Sequence, residues 1–174
     1  MIFIETNIPG AFIIEIEQIE DERGFFARTF CKREYEARGL ETNFVQCSIS
    51  YNKKRGTLRG MHYQISPYEE TRIVSCIKGS IYDVVLDLRP DSDTFREWVA
   101  VELNDRNHRF LYIPKGCAHG FQTLTDDCEM YYQISEFYHH ECARGVRCND
   151  PAFKIEWPAL TSVISARDET YSSF

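Results

Sequence analysis

Short runs of alternating apolar and polar residues, separated by turns, dominate the chain. Residues 11–19 are mostly apolar and then alternate, and residues 24–30 have a similar pattern. A repeat of two is typical of half-buried β-strands. Residues 32–39 are the one clear helical stretch, and Gly39 stands where a helix would end. The first forty residues therefore predict two strands and one short helix.

The middle of the chain carries the strongest strand signal. Two hairpins are predicted there, residues 73–77 with 81–88 around Gly79, and residues 98–103 with 109–113 around Asn104. Two further strands are predicted at residues 121–124 and 130–134. Many short strands with almost no helix are typical of a sandwich or a barrel.

The last thirty residues lack a regular pattern, but they are not simply polar. Phe153, Ile155 and Trp157 alternate with polar residues. We therefore expect this segment to pack against the barrel, so that residues 1–174 form a single domain.

The net charge and the aromatic content limit the kinds of molecule that the protein is expected to bind. The chain has 20 basic and 27 acidic residues, for a net charge of −7. Nucleic acid and anionic membranes are therefore not expected as partners. An anionic small ligand would need a local basic pocket, for which Arg23, Arg59 and Arg72 are candidates. Aromatic residues make up 14% of the chain, which favours strands or pockets lined with rings.

The seven cysteines contain no C-x-x-C pair, and their odd number leaves one thiol over in any complete pairing. Several lie in apolar, strand-like runs, where a free cysteine behaves as a small buried hydrophobe. No signal peptide is evident, and no apolar run approaches the length of a membrane span. A reducing compartment, and hence a cytoplasmic protein, is expected.

The segment RGTLRGMHYQ, residues 55–64, is the densest unusual stretch. A glycine two residues before His62 indicates a bulge or a close backbone approach. Strict alternation would place Arg59 and His62 on opposite faces, unless the chain kinks at Gly60. From this stretch alone, a core histidine with satisfied hydrogen bonds is a commoner interpretation than a catalytic base.

Three other segments contain candidates for which both a structural and a functional interpretation are open. His119 lies between glycines in residues 112–121, where it either meets a ligand or caps a turn. Tyr131 and Tyr132 face opposite ways in a strand, so one of them enters the barrel. Asp168 alone would be interpreted as solvated surface.

A metal site is not expected. A barrel of the cupin type would need two histidines two residues apart, together with a carboxylate and a third histidine. The position two after His62 is Gln64, and the adjacent His139 and His140 point apart in an extended segment. The chain also lacks a glycine-rich phosphate loop and a G-x-S-x-G elbow.

Taken together, these segments resemble the dTDP-4-dehydrorhamnose 3,5-epimerase family. The shared segments keep one order and matching spacing from about residue 8 to residue 168. They are DERGFF (21–26), FVQ (44–46), RGTLRGMHYQ (55–64), GSIYDVVLDLR (79–89), YIPKGCAHGF (112–121), Tyr132, NDP (149–151) and SARD (165–168). As a set they are highly specific, although no single segment is.

The resemblance implies an all-β cupin or jelly-roll barrel with few short helices. It also implies a homodimer with the active site inside the barrel and some ligand contacts supplied by the partner subunit. The implied enzyme works without a cofactor. It inverts carbons beside the C4 ketone of a nucleoside-diphosphate 4-keto-6-deoxy sugar, in deoxysugar biosynthesis.

The resemblance further implies roles for individual residues. His62 matches the base, Asp168 the carboxylate that holds the imidazole, and Tyr132 the acid that returns a proton from the opposite face. Contacts to phosphate, sugar or nucleoside are implied for Arg23, Phe26, Gln46, Arg59, His119 and Tyr138. The residue types suit this chemistry, because a positioned base is worth roughly 10²–10⁴ in rate. Donors at the enolate oxygen are worth roughly 10²–10³ each.

Three positions depart from the family pattern. Arg72 replaces a lysine near the enolate oxygen, which keeps the charge but changes its shape. Ser48 replaces an asparagine that contacts substrate, and Arg28 replaces a glutamate that helps to read thymine. Because Arg28 would invert a hydrogen bond at a base-reading position, we hypothesise that the nucleotide differs from dTDP.

Several alternatives stay open at the sequence level. The enzyme could invert C3 alone, or act on another nucleotide-linked keto sugar, CDP- or GDP-linked, including a heptose. From other classes, a non-catalytic sugar-binding cupin and a metal-dependent cupin oxygenase remain. The joint occurrence of His62, Tyr132 and Asp168 disfavours the first of these, and Gln64 disfavours the second.

Overall fold

Thirteen β-strands and two short helices make up the protein in the computed structural model, which describes residues 1–174. The strands are β1 Ile2–Glu5, β2 Phe12–Glu15, β3 Gln18–Asp21, β4 Gly24–Ala27, β5 Gln46–Asn52, β6 Leu58–Gln64, β7 Arg72–Lys78, β8 Ser80–Asp87, β9 Trp98–Asn104, β10 Phe110–Ile113, β11 Cys117–Thr123, β12 Cys128–Ile134 and β13 Ala143–Gly145. The helices are α1 Lys32–Glu36 and α2 Ala166–Glu169. The all-β prediction is confirmed.

Two sheets and one separate hairpin organise these strands. A six-stranded sheet has the order β1-β2-β10-β7-β12-β5, and a five-stranded sheet has the order β13-β6-β11-β8-β9. All their ladder pairings are antiparallel. Strands β3 and β4 pair only with each other. The two large sheets form a jelly-roll sandwich.

Alternation along the strands builds the core between these sheets. Val74 and Leu111 of the six-stranded sheet belong to the same buried cluster as Val85 and Phe121 of the five-stranded sheet. Their sequence neighbours point outward; Ile73, for example, packs in a different cluster. The period of two therefore divides each strand between an inner face and an outer face.

Both outer faces are covered in part. Tyr35 of α1 is fully buried against Ile73 and Tyr112 on the six-stranded sheet. On the five-stranded sheet, Phe153 and Ile155 pack in a cluster with residues of β6, β8 and β11. The predicted packing of the last segment against the barrel is confirmed.

The two predicted hairpins are wrong as pairings, although the strands themselves exist. β7 and β8 flank Gly79 but lie in different sheets, and so do β9 and β10. In each case the chain crosses from one sheet to the other at the turn. Local patterning cannot distinguish a hairpin from such a crossing, because both need two strands and a tight turn.

Two boundaries also differ from the prediction. Residues 11–19 contain two strands, β2 and β3, and the second of them belongs to the separate hairpin. The helix α1 ends at Glu36 rather than at residue 39, although Gly39 does adopt a positive φ of 68°.

All seven cysteines are free, and five of them are buried: Cys76, Cys117, Cys128, Cys142 and Cys148. This agrees with the expected behaviour of cysteine as a small buried hydrophobe. No helix in the structure has the length and apolarity needed to span a membrane.

Candidate active site

A β-bulge in β6 brings Arg59 and His62 to the same face. His119 of β11 pairs with His62, while Phe121 pairs with Arg59. Three steps along β6 therefore match two steps along β11, so β6 carries one extra residue. Both side chains line one cavity between the sheets. The sequence allowed a kink at Gly60, and the structure has a bulge there.

Glycine is required on both strands at this bulge. A Cβ on Gly60 would lie 2.5 Å from the Cα of Gly120, and Gly60 has a φ of 127°. A Cβ on Gly120 would lie 2.8 Å from the carbonyl oxygen of Arg59. The two backbones therefore meet more closely than any side chain allows, which aims the neighbouring residues into the cavity.

His62 is held from behind by a buried carboxylate. Its Nε2 lies 2.7 Å from Oδ1 of Asp168, a residue that is only 4% exposed. The backbone N–H of Gly60 donates to Oδ2 of Asp168 at 3.2 Å. Burial by itself would raise the pKa of Asp168, but the hydrogen bond and charge of His62 and the Gly60 N–H outweigh it, so that pKa is lowered.

The ionisation of Asp168 defines the tautomer of His62. A carboxylate only accepts hydrogen bonds, so Nε2 carries the ring proton. Nδ1 of His62 then keeps its lone pair, and it has no hydrogen-bond partner within the chain. The arrangement suits a base whose protonated form is stabilised by Asp168.

The segment before α2 brings Asp168 to this position. Val163 forms a parallel bridge with Thr57, and its carbonyl accepts from the N–H of Leu58 at 2.8 Å. Ser165 then caps α2, with its Oγ accepting from the N–H of Asp168 at 3.1 Å. An acid that would be interpreted from the sequence as solvated surface is therefore held beside His62 of β6.

Tyr132 faces the cavity from the opposite sheet. It lies on β12, and its ring makes a T-shaped contact with that of His119 at 6.1 Å between centroids. Burial raises the pKa of Tyr132, and nearby Asp83 adds to the rise, while Arg72 and Arg59 oppose it. The phenol therefore stays protonated at neutral pH and can donate a proton.

A second histidine–carboxylate pair lies in the same wall. Nε2 of His119 is 2.7 Å from Oδ1 of Asp83, and Asp83 is fully buried. Burial raises the pKa of Asp83, and His119 opposes that rise. The other oxygen of Asp83, Oδ2, has no hydrogen-bond partner. Asp83 was not predicted as a site residue, although an acid inside an apolar strand is a recognisable signal of a buried charge.

Two arginines supply positive charge to the cavity. Arg72 forms an ion pair with Glu70, and its Nη1 donates to the carbonyl of His62 at 3.3 Å. Arg59 makes no ion pair, but its Nε donates to Oδ1 of buried Asn52 at 2.7 Å. Asn52 was likewise not predicted as a site residue. Arg59 is therefore oriented and still free to bind an anionic group.

The cavity itself has a volume of about 280 Å³. It is lined by ten residues from both sheets, namely Ser48, Ile49, Ser50, Arg59, His62, Arg72, His119, Phe121, Tyr132 and Ile134. Six of the twelve predicted site residues are among them, and a seventh, Asp168, contacts His62.

Gln46 and Tyr138 lie together at the start of β5. The backbone N–H of Tyr138 donates to Oε1 of Gln46 at 2.9 Å. Tyr138 lines a smaller cavity beside the first, which shares His62 and Arg72 with it. These two predicted residues are therefore neighbours of the main cavity rather than part of its lining.

The remaining three predicted residues do not reach the cavity of their own chain. Arg23 is exposed at the turn of the β3–β4 hairpin, where it pairs with Asp21. Phe26 and Arg28 line a separate surface pocket beside Glu34. No cluster of three or more His, Cys, Asp or Glu side chains suited to a metal ion occurs in the chain.

Comparison with known proteins gives a consistent result. The sequence profile of the dTDP-4-dehydrorhamnose 3,5-epimerase family matches residues 5–174. The dTDP-4-dehydrorhamnose 3,5-epimerase of Methanothermobacter thermautotrophicus is 45% identical over 156 residues, which cover 90% of this chain and 83% of that protein.

Solved structures agree in fold. The crystal structure of dTDP-4-dehydrorhamnose 3,5-epimerase from Bacillus anthracis, with TDP and PPi bound, has a TM-score of 0.95 at 38% identity, covering 99% of this chain and 98% of that one. A 3′-monoepimerase from Streptomyces bikiniensis, in complex with dTDP-quinovose, has a TM-score of 0.88 at 30% identity, covering 97% and 85%. The predicted cupin jelly roll is thereby confirmed.

Proposed function

The chain belongs to the dTDP-4-dehydrorhamnose 3,5-epimerase family, a family of isomerases, and on this premise we propose that it epimerises a nucleoside-diphosphate 4-keto-6-deoxy sugar at C3 and C5. The reaction proceeds by removal of a proton beside the C4 ketone and its return from the opposite face. His62, Tyr132, Asp168 and Arg72 are the proposed catalytic machinery.

One observation carries this proposal. His62 and Tyr132 stand on opposing sheets and line the same cavity. Inversion at carbon requires a base on one face of the substrate and an acid on the other. A protein that only binds sugar does not need a base and an acid on opposite faces of its ligand.

The base is the Nδ1 atom of His62. Asp168 accepts the proton on Nε2, which leaves the Nδ1 lone pair available. When Nδ1 takes the substrate proton, the ring becomes an imidazolium beside an ionised carboxylate. That charge pair lowers the barrier without a proton reaching Asp168.

Removal of the proton leaves an enolate whose oxygen needs stabilisation. Arg72 and His119 line the cavity and can place donors near that oxygen. Each such donor is worth about 10²–10³ in rate, because it is oriented before the charge develops. Arg59, which makes no ion pair, is proposed to bind the diphosphate, with Ser48 beside it.

The nucleotide is proposed to be dTDP, because the relatives reported above are named for dTDP sugars or contain TDP or a dTDP sugar. The alternative hypothesis that the nucleotide differs from dTDP, drawn from Arg28, is not tested by these relatives and stays a prediction. Both are tested by one panel of dTDP-, CDP- and GDP-linked 4-keto-6-deoxy sugars.

The panel is best run in D₂O with NMR detection. We expect deuterium at C3 and C5 with the wild-type protein and nearly complete loss of exchange with His62→Ala. Binding without exchange in the wild type would contradict the enzymatic proposal and favour a sugar-binding protein. Preference for a CDP- or GDP-linked sugar would contradict the assignment of dTDP.

Inversion at C3 alone is the second candidate. It is favoured by the fold similarity to the 3′-monoepimerase from Streptomyces bikiniensis. The same spectra separate the two candidates, because a C3 epimerase introduces deuterium at C3 and leaves C5 protonated. Tyr132 does not discriminate between them.

We also propose a homodimer in which the β3–β4 hairpin of each subunit completes the partner's site. The hairpin pairs with no other strand, and it exposes Ile19 (70%), Phe25 (46%) and Phe26 (71%). Apolar exposure of this kind marks an interaction surface. Such an arrangement would bring Arg23, Phe26 and Arg28 to a cavity that they do not reach in their own chain.

A mixing experiment tests the sharing of sites. His62→Ala and Arg23→Ala are each expected to be weakly active alone. In a mixed dimer, one site combines an intact His62 with the intact Arg23 of the other chain, so activity returns after the subunits exchange. Absence of any recovery in verified mixed dimers would contradict the shared site.

A further inference from the structure

The aromatic side chain of Tyr171 packs against the His62 ring. The two rings make a T-shaped contact, with centroids 6.1 Å apart and planes at 70°. This geometry falls in the favourable range for aromatic pairs. Asp168 fixes one ring nitrogen of His62, and Tyr171 contacts the ring as a second, independent restraint.

The absence of a side chain at Gly145 leaves the space that the Tyr171 ring occupies. Gly145 of β13 pairs directly with His62 of β6. A Cβ on Gly145 would lie 2.3 Å from the ring carbons of Tyr171. Gly145 does not have a positive φ, so the absence of a side chain there serves space rather than backbone conformation.

The hydroxyl of Tyr171 does not explain the contact. Its oxygen is buried and has no hydrogen-bond partner. The guanidinium carbon of Arg167 lies 5.8 Å from the ring centroid, over the ring. The ring, rather than the hydroxyl, is therefore the part of Tyr171 that acts on His62.

The residues after Tyr171 anchor the segment elsewhere. Oγ of Ser173 accepts from Nη2 of Arg147 at 2.5 Å, and the N–H of Phe174 donates to Oδ2 of Asp150 at 3.0 Å. The Phe174 ring packs against that of Phe153 at 5.0 Å. None of these contacts involves His62 or the Tyr171 ring, so Phe174→Ala is a matched control that removes a nearby aromatic ring.

We propose that Tyr171 is a positioning residue for the epimerisation, holding the His62 imidazole so that Nε2 stays on Asp168 while Nδ1 faces the cavity. The inference rests on the proposed function for its catalytic meaning. The restraint on the ring can be measured without any turnover.

The first readout is the proton on Nε2 of His62, followed by NMR in the absence of substrate. The wild type and Tyr171→Phe are expected to show a protected downfield resonance for the hydrogen bond to Asp168. Tyr171→Ala opens the back of the ring to water, so the resonance is expected to disappear by exchange. Tyr171→Leu keeps most of the buried side-chain volume, so it provides the same test if the alanine variant does not fold. In this variant the Nε2 proton is expected to exchange with water faster than in the wild type.

The second readout is turnover of the substrate that the wild type uses. Tyr171→Ala is expected to lower kcat by about 10- to 100-fold, with little change in KM, because misplacement of a reacting group costs rates of that order. Tyr171→Leu should show a smaller loss in the same direction. Tyr171→Phe should retain kcat, and Phe174→Ala should retain both kcat and the resonance.

Three results would overturn the proposal. The first is a resonance that is unchanged in both Tyr171→Ala and Tyr171→Leu. The second is an unchanged kcat in a variant that has lost the resonance. The third is a loss of the resonance in Phe174→Ala equal to that in Tyr171→Ala. If the wild type turns over no sugar nucleotide at all, the proposed function fails, while the resonance still reports on the restraint.

Discussion

His62 and Asp168 are 106 positions apart in the sequence, yet their side chains form a 2.7 Å hydrogen bond. The bond joins a strand of the barrel to a one-turn helix near residue 170. Two features set it up, the Gly60 bulge on one side and the bridge between Val163 and Thr57 on the other.

Replacement of Asp168 tests the role of this bond. We expect Asp168→Ala to lower kcat by about 10²–10⁴-fold, because His62 loses both its orientation and the charge that stabilises the imidazolium. Steady-state rates measured by NMR in D₂O provide the check. Replacement of the neighbouring exposed Glu169 by Gln serves as the control and should have no such effect, and a loss below threefold in Asp168→Ala would count against the dyad.

Removal of the Tyr132 hydroxyl should separate exchange from inversion. In Tyr132→Phe, His62 still removes the proton and returns deuterium to the same face, while the opposite face has no donor. We therefore expect deuterium incorporation with retention of configuration. Product analysis by NMR after long incubation is the measurement, and inversion at the wild-type rate would contradict the role of Tyr132.

The close approach at the bulge makes a prediction about stability. Gly60→Ala is expected to cost more than Gly24→Ala, although both glycines have nearly the same φ, 127° and 125°. Positive φ strains both variants by about 1–3 kcal/mol. Only Gly60 adds a clash, because its Cβ would lie 2.5 Å from the Cα of Gly120, whereas nothing lies within 4 Å at Gly24.

Urea unfolding of the two alanine variants gives the comparison directly. A larger loss of unfolding free energy for Gly60→Ala supports the requirement for close backbone contact. Equal losses would mean that φ strain alone accounts for the glycine at position 60.

Buried Asp87 should make stability depend on acid pH. It accepts hydrogen bonds from Arg89 at 2.6 Å, Ser92 at 2.6 Å and Thr94 at 2.7 Å. Burial would raise the pKa of Asp87, but these bonds outweigh it and hold that pKa below its usual range. Its contribution is therefore present above the unfolded-state pKa of about 3.9 and is lost as the pH falls through the lower folded-state pKa.

Thermal unfolding of Asp87→Asn between pH 2 and pH 7 measures this contribution. We expect a loss of about 1.5–3 kcal/mol at pH 7, typical of hydrogen bonds to a charged group. The difference from the wild type should shrink below about pH 4, where the unfolded carboxyl takes up a proton. Asp91→Asn, at an exposed position in the same turn, is the control, and a difference that is constant with pH would contradict the assignment.

Thiol reactivity should follow burial. Burial raises the pKa of Cys76 and of Cys117 to about 12, so neither forms an appreciable thiolate at pH 8. Cys47 is exposed on β5. We expect alkylation of native protein, mapped by mass spectrometry, to modify Cys47 first and Cys76 and Cys117 only after unfolding. Rapid modification of Cys117 in folded protein would contradict the buried environment of β11.

Prediction from the sequence succeeded where a property depends on neighbouring residues. The alternation of residues 81–88 marks β8 correctly, and Phe153 and Ile155 are buried as their spacing indicates. Prediction failed for the partners of strands. β7 and β8 follow each other through Gly79 and yet belong to different sheets. Backbone ladders carry no residue identity, so alternation cannot specify which strand lies alongside.

The candidate site shows the same difference between local properties, which the sequence predicts, and long-range contacts, which it does not. The motif resemblance, not the pattern of residues, selected Asp168 and Tyr132, and the tertiary structure brings both to His62 or its cavity. Asp83 and Tyr171 were not predicted. An acid in an apolar strand indicates a buried charge but not which group pairs with it, and an aromatic residue in an irregular segment indicates neither. In neither case do the neighbouring residues indicate which distant residue the side chain contacts.

The sequence by itself determined that the chain is built of strands, which faces of those strands are apolar, and which family its motifs resemble. Only the tertiary structure decided that Arg59 and His62 share a face, and that the β3–β4 hairpin stands away from its own cavity. The physical reason is the distance along the sequence over which each effect acts. Side-chain periodicity acts over a few residues, whereas a one-residue bulge or a sheet crossing depends on backbones that meet from distant parts of the chain.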